Sequence, residues 1–171
     1  MEGIKITYPE WVNEVGMKIG MHRAESCRIS DIHKPYNVRP DDYNVRGAIG
    51  ELIFMLYLER NDYKYNFNKF FADAPVSDYD VAIEKDGNLY YIDVKCLSEK
   101  TEILNVTYDS HNNNNKRVNG YAFVKLNGNN EATIYKFKKE EISNWEVMYK
   151  NRENGQTKFY GKLIENEIEN N

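Results

Sequence analysis

The sequence predicts an α/β fold in which helices flank a mixed, mainly antiparallel sheet. An apolar helical segment at residues 47–58 precedes a series of short strand-like runs that begins near residue 79. The chain has 171 residues, of which 41% are hydrophobic, enough to build one core. We therefore expect a single domain with an N-terminal helical segment (1–46), a core (about 47–137) and a C-terminal extension (138–171).

The predicted helices come first along the chain. Pro9, followed by apolar residues at helical spacing, predicts a first helix that runs into the twenties. Prolines and aspartates without periodicity then predict a loop over residues 31–46. From Gly47 to Leu58 apolar residues occupy nearly every side of the helical wheel. We expect this second helix to be buried nearly all round.

The predicted strands follow. Segment 59–77 indicates a loop with at most one short strand, and strand-like runs at 79–84 and 89–97 flank Asp86-Gly87, a pair typical of two-residue hairpin turns. Further strands of the same sheet are predicted at 103–107, 121–126 and 132–137, followed by a short helix within 138–145.

Composition excludes several classes of protein. The net charge of -4 argues against a polybasic nucleic-acid binder, so any basic face has to be local. No window approaches the roughly 18 apolar residues of a membrane helix, and charges interrupt any signal-peptide core. Two cysteines without CxxC spacing fit a reducing compartment. We expect no membrane partner and a cytoplasmic location in a bacterial, archaeal or virus-infected host cell.

Glu51 is the only charged residue between Gly47 and Leu58. Burying a lone carboxylate costs several kcal/mol unless a cation, a hydrogen-bond donor or a proton compensates it. Glu51 therefore lies on a narrow solvent-facing stripe, pairs with Arg46 or Arg23, or belongs to a functional site.

The hairpin carries charge on one face. If its turn closes on Asp86-Gly87, Asp80 lies opposite Asp93, with Cβ atoms roughly 4.5 to 5.5 Å apart. Two carboxylates at that distance repel each other and invite a divalent cation. Lys95 lies on the same face, opposite Asp78. The alternative is an ordinary solvated face with a Lys95–Asp78 cross-strand ion pair.

Together these residues resemble the PD-(D/E)xK nuclease superfamily, which has the restriction-endonuclease-like fold. The resemblance rests on Glu51 in a helix, Asp80 at the start of a hairpin and Asp93-Val94-Lys95 on its second strand. The run over residues 47–52 is similar to the opening of the catalytic core in phage and restriction-type members. Tyr79 stands in place of the proline of the motif. The Gln-and-Tyr motif and the cysteine cluster of the RecB/Cas4 branch are missing.

This resemblance implies a metal-dependent endonuclease that hydrolyses DNA phosphodiester bonds with Mg²⁺, for which Mn²⁺ would substitute. It implies that Asp80, Asp93 and the backbone carbonyl of Val94 are metal ligands. Glu51 would hold a metal-bound water or a second ion, and Lys95 would orient the attacking water and stabilise developing negative charge.

Other expectations concern the loops and the alternatives. Lys116 and Arg117, after the asparagine run, could bind phosphates or form a solvated turn between two strands of the sheet. We expect His111 in a loop and Cys96 as a small core residue. A homodimer is possible for a nuclease of this kind. The other candidate functions are a catalytically silent domain of the same fold that binds nucleic acid or protein, and an interaction domain with an accidental motif, in which Glu51 would lie far from the hairpin.

Overall fold

A computed structural model describes residues 2–29, 40–67, 78–152 and 155–164. Its elements in chain order are β1 (Ile4–Thr7), α1 (Trp11–Ile29), α2 (Pro40–Arg60), β2 (Lys64–Phe67), β3 (Val81–Lys85), β4 (Asn88–Leu97), β5 (Ile103–Thr107), α3 (Tyr108–His111), β6 (Gly120–Gly128), β7 (Glu131–Lys138), α4 (Lys139–Ile142), β8 (Glu146–Arg152) and β9 (Gly155–Leu163).

The main sheet has six strands in the order β1-β7-β6-β4-β3-β2. Only the β4–β6 pair is parallel. The helix α2 packs on β4 and β6 and also against α1. The predicted α/β fold with a mixed, mainly antiparallel sheet flanked by helices is therefore confirmed. No helix among the described residues is long and apolar enough to cross a membrane.

The two faces of the main sheet bury different cores. Ala122 and Val124 of β6 pack in a core with α1 and α2, whereas Tyr121 and Phe123 pack in a second core with α4 and the three-stranded sheet β5-β9-β8. Burial on both faces explains why β6 is apolar at consecutive positions instead of alternating.

The predicted hairpin is confirmed. Asp86 and Gly87 form its turn with φ angles of 52° and 74°, the positive values that a two-residue type I′ turn requires. The pairing runs from Lys85 opposite Asn88 to Val81 opposite Ile92, which is the register derived from the Asp-Gly turn.

The helix α2 begins earlier than predicted. It starts at Pro40, well before Gly47, so the part of the predicted loop at residues 40–46 is helical, and residues 31–39 lie outside the described residues. Proline suits the first helical turn because the backbone N–H that it lacks has no partner there. The first helix, α1, has the predicted extent.

The C-terminal half differs most from the prediction. The strand at Ile103–Thr107 forms, but it belongs to the second sheet and pairs with β9, a strand of the C-terminal extension that the sequence did not predict. Strands β8 and β1 were also missed, and the helix predicted within 138–145 is only Lys139–Ile142. The short strand expected within 59–77 is β2; residues 68–77 and the polar tail 165–171 lie outside the described part.

Glycines bring α1 and α2 into close contact. A Cβ added at Gly16 would lie 2.5 Å from the side chain of Ile49, and one at Gly20 would lie 2.3 Å from the Cα of Val45. Only glycine at these two positions allows the helix axes to approach so closely. The next turn of α1 is thereby held against the middle of α2.

A third glycine sets the contact between α2 and the sheet. A Cβ on Gly50 would lie 2.6 Å from the Cβ of Cys96 in β4 and 3.1 Å from its Sγ. The Cys96 thiol, expected to be a core residue, packs under the helix, and burial raises its pKa to about 12. The contact places Glu51, the next residue of α2, beside the centre of β4.

We expect Gly50→Ala to lower the free energy of unfolding by about 1–3 kcal/mol, because the added methyl group overpacks the helix–sheet contact. Gly47→Ala is the matched control in the same helix, since a Cβ there meets nothing within 4 Å. It should stabilise the protein by up to about 1 kcal/mol through helix propensity alone. Urea denaturation of both variants measures the two changes in the free energy of unfolding. Equal changes would show that the Gly50–Cys96 contact is not tight.

Candidate functional site

The structure brings the charged residues of the helix and the hairpin together. Glu51 comes from the middle of α2, Asp80 immediately precedes β3, and Asp93 and Lys95 lie in β4. The charges of the other three residues all act on the carboxyl group of Asp80. We refer to these four residues as the acidic cluster.

Asp80 is held by the backbone of β4. Its N–H donates to the carbonyl of Ile92 at 3.0 Å, and its Oδ2 accepts a hydrogen bond of 2.6 Å from the N–H of Val94. Asp80 thus continues the contact of the two strands before the start of β3. Its two bonds hold it against Ile92 and Val94, the residues on either side of Asp93.

Lys95 forms its ion pair with Asp93, two residues before it in the same strand. The predicted alternative, a cross-strand pair with Asp78, is wrong in the described structure, where Asp78 is exposed. Burial alone would lower the pKa of Lys95, but the negative charges of Asp93, Asp80 and Glu51 raise it. Lys95 is therefore protonated near neutral pH and is a counter-charge of the cluster.

Glu51 is buried and forms a two-pronged ion pair with Arg23 of α1. Nη1 donates to Oε1 at 2.9 Å, and Nη2 donates to Oε2 at 2.7 Å. Of the predicted alternatives, pairing with Arg23 is confirmed and the solvent-facing stripe is wrong; Arg46 lies over the ring of Tyr43. Glu51 does not lie far from the hairpin, as the accidental-motif interpretation requires, because its charge acts on both Asp80 and Lys95.

In the part of the chain that the structure describes, carboxyl groups outnumber bases in and around the acidic cluster. Burial, followed by the negative charges of Asp93 and Glu51, raises the pKa of Asp80 to about 8, although Lys95 and the hydrogen bond from Val94 oppose the shift. Three carboxyl groups share two bases, Arg23 and Lys95. A proton on Asp80 or a bound cation would relieve the repulsion.

The carboxylates of the cluster suit a hard divalent cation that needs few protein ligands. Among the described residues, no group of three or more His, Cys, Asp or Glu side chains is arranged to hold a metal ion. Mg²⁺ commonly takes only one or two carboxylates and keeps several waters. Asp80 and Asp93, which repel each other, fit that smaller requirement.

A buried histidine, not predicted as such, lies behind the cluster. His111 belongs to α3 rather than to a loop and is only 2% exposed. Its Nδ1 lies 3.2 Å from the hydroxyl of Tyr121, and its Nε2 lies 3.0 Å from Oγ of Ser143. Burial, with the charge of Lys139, lowers the pKa of His111. Tyr121 is the cross-strand partner of Asp93, so this neutral network supports the cluster from the second core.

Lys116 and Arg117 lie on the segment that joins α3 to β6, not between two strands of one sheet as predicted. The Nζ of Lys116 donates to Oγ of Ser110 at 3.0 Å, and Arg117 is exposed. The bond to Ser110 gives Lys116 a local structural role. Phosphate binding by either residue remains a prediction.

The sequence held one signal for the pairing of Arg23 with Glu51. Gly16, Gly20 and Arg23 follow one another at the spacing of a single helix face. Two small residues on a helix face indicate a close helix–helix contact, and an arginine on the next turn of that face then points along the same partner helix.

Comparisons with known proteins gave one solved structure. No family model matches this chain, and no curated protein matches it. The chain is similar to the structure of a bacterial homing endonuclease, I-Ssp6803I, with 12% sequence identity and a TM-score of 0.45, over 72% of this chain and 77% of that one.

We expect Arg23→Gln to lower the free energy of unfolding by about 1.5–3 kcal/mol, because it leaves Glu51 buried without its charged partner. Adding Glu51→Gln should restore part of that loss, since it removes the unpaired charge. The control is Arg60→Gln, which removes an exposed arginine of α2 bound to the carbonyl of Thr7 and should cost less. Additive effects of the two substitutions, measured by urea denaturation, would contradict the coupling.

The metal-free protein should lose stability as the pH rises. The pKa of Asp80 is raised from 3.8 to about 8 on folding, so between these values the folded state binds a proton that the unfolded state has released, and the free energy of unfolding falls. Asp80→Asn should remove this contribution and stabilise the protein most at the alkaline end. Unfolding in EDTA across this range measures the difference between wild type and variant; a difference independent of pH would contradict it.

Proposed function

We propose that the chain is a Mg²⁺-dependent endonuclease of the PD-(D/E)xK type that hydrolyses phosphodiester bonds of DNA. The observation that carries the proposal is the convergence of Glu51, Asp80, Asp93 and Lys95, which come from a helix and a hairpin in that order. Glu51 is the only charged residue between Gly47 and Leu58 of α2, and Asp93 and Lys95 are the only charged residues of β4.

The donor set supports a metal at the start of the hairpin. Asp80 and Asp93 would hold it, with the backbone carbonyl of Val94. When bound, Mg²⁺ supplies an activated water near neutral pH and stabilises negative charge on the phosphate. The site would accept the cation because each ligand carboxylate already bears the repulsion of its neighbour.

Lys95 acts as a cation rather than as a base. Its pKa is raised by the surrounding carboxylates, so its ammonium group keeps its proton and donates hydrogen bonds. Its side chain is 36% exposed, whereas that of Asp93 is 8% exposed, so Lys95 extends from the buried carboxylates toward solvent. A phosphate that approaches the cluster meets this ammonium group, which would stabilise the charge that develops on it and orient the attacking water.

Arg23 is a positioning residue in this proposal. Both oxygens of Glu51 accept hydrogen bonds from it, so the carboxylate plane is fixed and its charge is balanced. Glu51 therefore adds only part of its repulsion to the cluster, which leaves Asp80 and Asp93 as the strongest cation ligands.

One observation favours a second candidate, a catalytically silent binding domain of the same fold. Two of the three carboxylates already have ion-pair partners, Arg23 and Lys95, as in a purely structural network of charges. Such a domain would bind nucleic acid or protein without metal-dependent cleavage. Turnover separates the two candidates.

We expect the purified chain to cleave plasmid DNA with Mg²⁺ or Mn²⁺ and not in EDTA. Asp93→Asn should abolish cleavage because it removes a ligand, whereas Asp109→Asn, on the exposed surface of α3, should retain it. The absence of cleavage of any DNA form by a folded wild-type chain with either ion would overturn the proposal in favour of the silent domain.

Lys95→Ala should reduce cleavage by about a hundredfold or more, through loss of transition-state stabilisation. Because Lys95 is also a counter-charge of the cluster, the variant should gain more thermal stability from Mg²⁺ than the wild type does. Lys64→Ala, on the exposed surface of β2, is the control. Unchanged turnover at saturating Mg²⁺ would remove Lys95 from the mechanism.

The melting temperature should rise with Mg²⁺, Mn²⁺ and Ca²⁺, since each would relieve the repulsion between the Asp80 and Asp93 carboxylates of the native state. Ca²⁺ should stabilise without supporting turnover, because its looser coordination serves binding better than water activation. Asp93→Asn should melt at or above the metal-free wild type and respond little to any ion. A wild-type melting temperature that no ion changes would contradict the metal site.

A further inference from the structure

A groove of about 720 Å³ opens beside Lys95. One wall is the N-terminal half of α2, including Arg46; the end of β4 and the residues after it, including Lys100, form the floor. The second sheet forms the other wall, with Asn105, Thr107, Lys150 and Thr157. The groove shares Val94 and Lys95 with the hairpin strand of the acidic cluster, so the two features adjoin.

The alternation of the second sheet gives this wall its polar character. Leu104 and Val106 of β5 enter the second core, so Asn105 and Thr107 face the opposite way, toward the groove. Across the sheet Thr107 pairs with Phe159 of β9, and Lys150 of β8 pairs with Thr157. One face of the sheet is thus used for folding, and the other presents hydroxyl, amide and ammonium groups to the groove.

The charge in the groove opposes that of the whole protein. Its charged lining residues are the basic Arg46, Lys95, Lys100 and Lys150 and the acidic Glu102, although the chain carries a net charge of -4. In a second groove of the same volume, positive and negative charges nearly cancel. Its charged lining residues are Lys85, Lys136, Lys138, Glu140 and Glu141. The positive charge is therefore concentrated where the acidic cluster meets solvent.

We propose that this groove binds the phosphate backbone of duplex DNA, through Arg46 on one wall, Lys100 on the floor and Lys150 on the other wall. The inference rests on the proposed nuclease function and gives it a substrate path. Basic side chains spaced along a groove neutralise successive phosphates, and hydroxyl and amide groups such as those of Thr157 and Asn105 donate to phosphate oxygens. A DNA backbone that lies in the groove passes Lys95, so that one of its phosphates lies next to the acidic cluster.

The test is fluorescence anisotropy of a short labelled DNA duplex in EDTA over a range of salt concentrations. Arg46→Gln, Lys100→Gln and Lys150→Gln should each weaken binding and flatten the slope of log K against log salt by about 1, as expected for one lost phosphate contact. Glu102→Gln should act in the opposite direction and tighten binding, because it removes an acidic side chain from the groove lining. Lys64→Gln is the control and should bind as the wild type does.

The outcomes separate this inference from the proposed catalysis. If the wild type binds the duplex and the three groove variants keep its affinity and salt slope, the groove is not the binding surface, whether or not the protein cleaves DNA. If the groove variants lose binding while the wild type cleaves nothing, the inference holds and the catalytic proposal fails. Failure of the wild-type protein to bind duplex DNA would also overturn the inference that the groove binds DNA. Melting temperatures of the variants, all on partly or fully exposed side chains, verify that they are folded.

Discussion

The approach of α2 to β4 at Gly50 and Cys96 is the contact on which the site depends. Because Gly50 has no side chain and only the small Cys96 side chain lies between the two backbones, the residues next to this contact in each element, Glu51 and Lys95, are brought into one electrostatic environment. Gly16 and Gly20 likewise allow α1 to approach α2 closely, and this contact brings Arg23 to Glu51. Close packing of backbones, which sequence composition hardly reveals, therefore determines which charges meet.

The carboxyl groups of the cluster differ in how their charges are compensated. Arg23 and Glu51 satisfy each other with two hydrogen bonds, which is how buried charge is normally stabilised. Asp80 accepts a backbone hydrogen bond but forms no ion pair of its own among the described residues, and burial together with the charges of Asp93 and Glu51 raises its pKa. Strongly perturbed carboxyl groups cluster at functional sites in proteins. The unequal pairing of the carboxylates is why the proposed cation is placed at Asp80 and Asp93 rather than at Glu51.

Local signals account for what the sequence predicted well. The Asp86-Gly87 turn fixes the register of the hairpin, so the neighbourhood of Asp80 and Asp93 followed from a count of residues. The second sheet could not be predicted in this way, because β5 finds its partner in β9, far along the chain, and no local pattern specifies that pairing. The buried position of His111 was hidden for the same reason, since Tyr121 and Ser143 reach it from separate elements.

The order in which the strands are synthesised has a consequence for how the molecule is completed. The acidic cluster and the main sheet draw on residues up to Lys138, whereas β5, an edge strand of the second sheet, has only β9 as its strand partner there. On the ribosome, β5 emerges long before β9 and carries unpaired backbone N–H and C=O groups during that interval. The polar wall of the groove therefore depends on a pairing between distant segments of the chain, which costs more loop-closure entropy than the local hairpin of the acidic cluster.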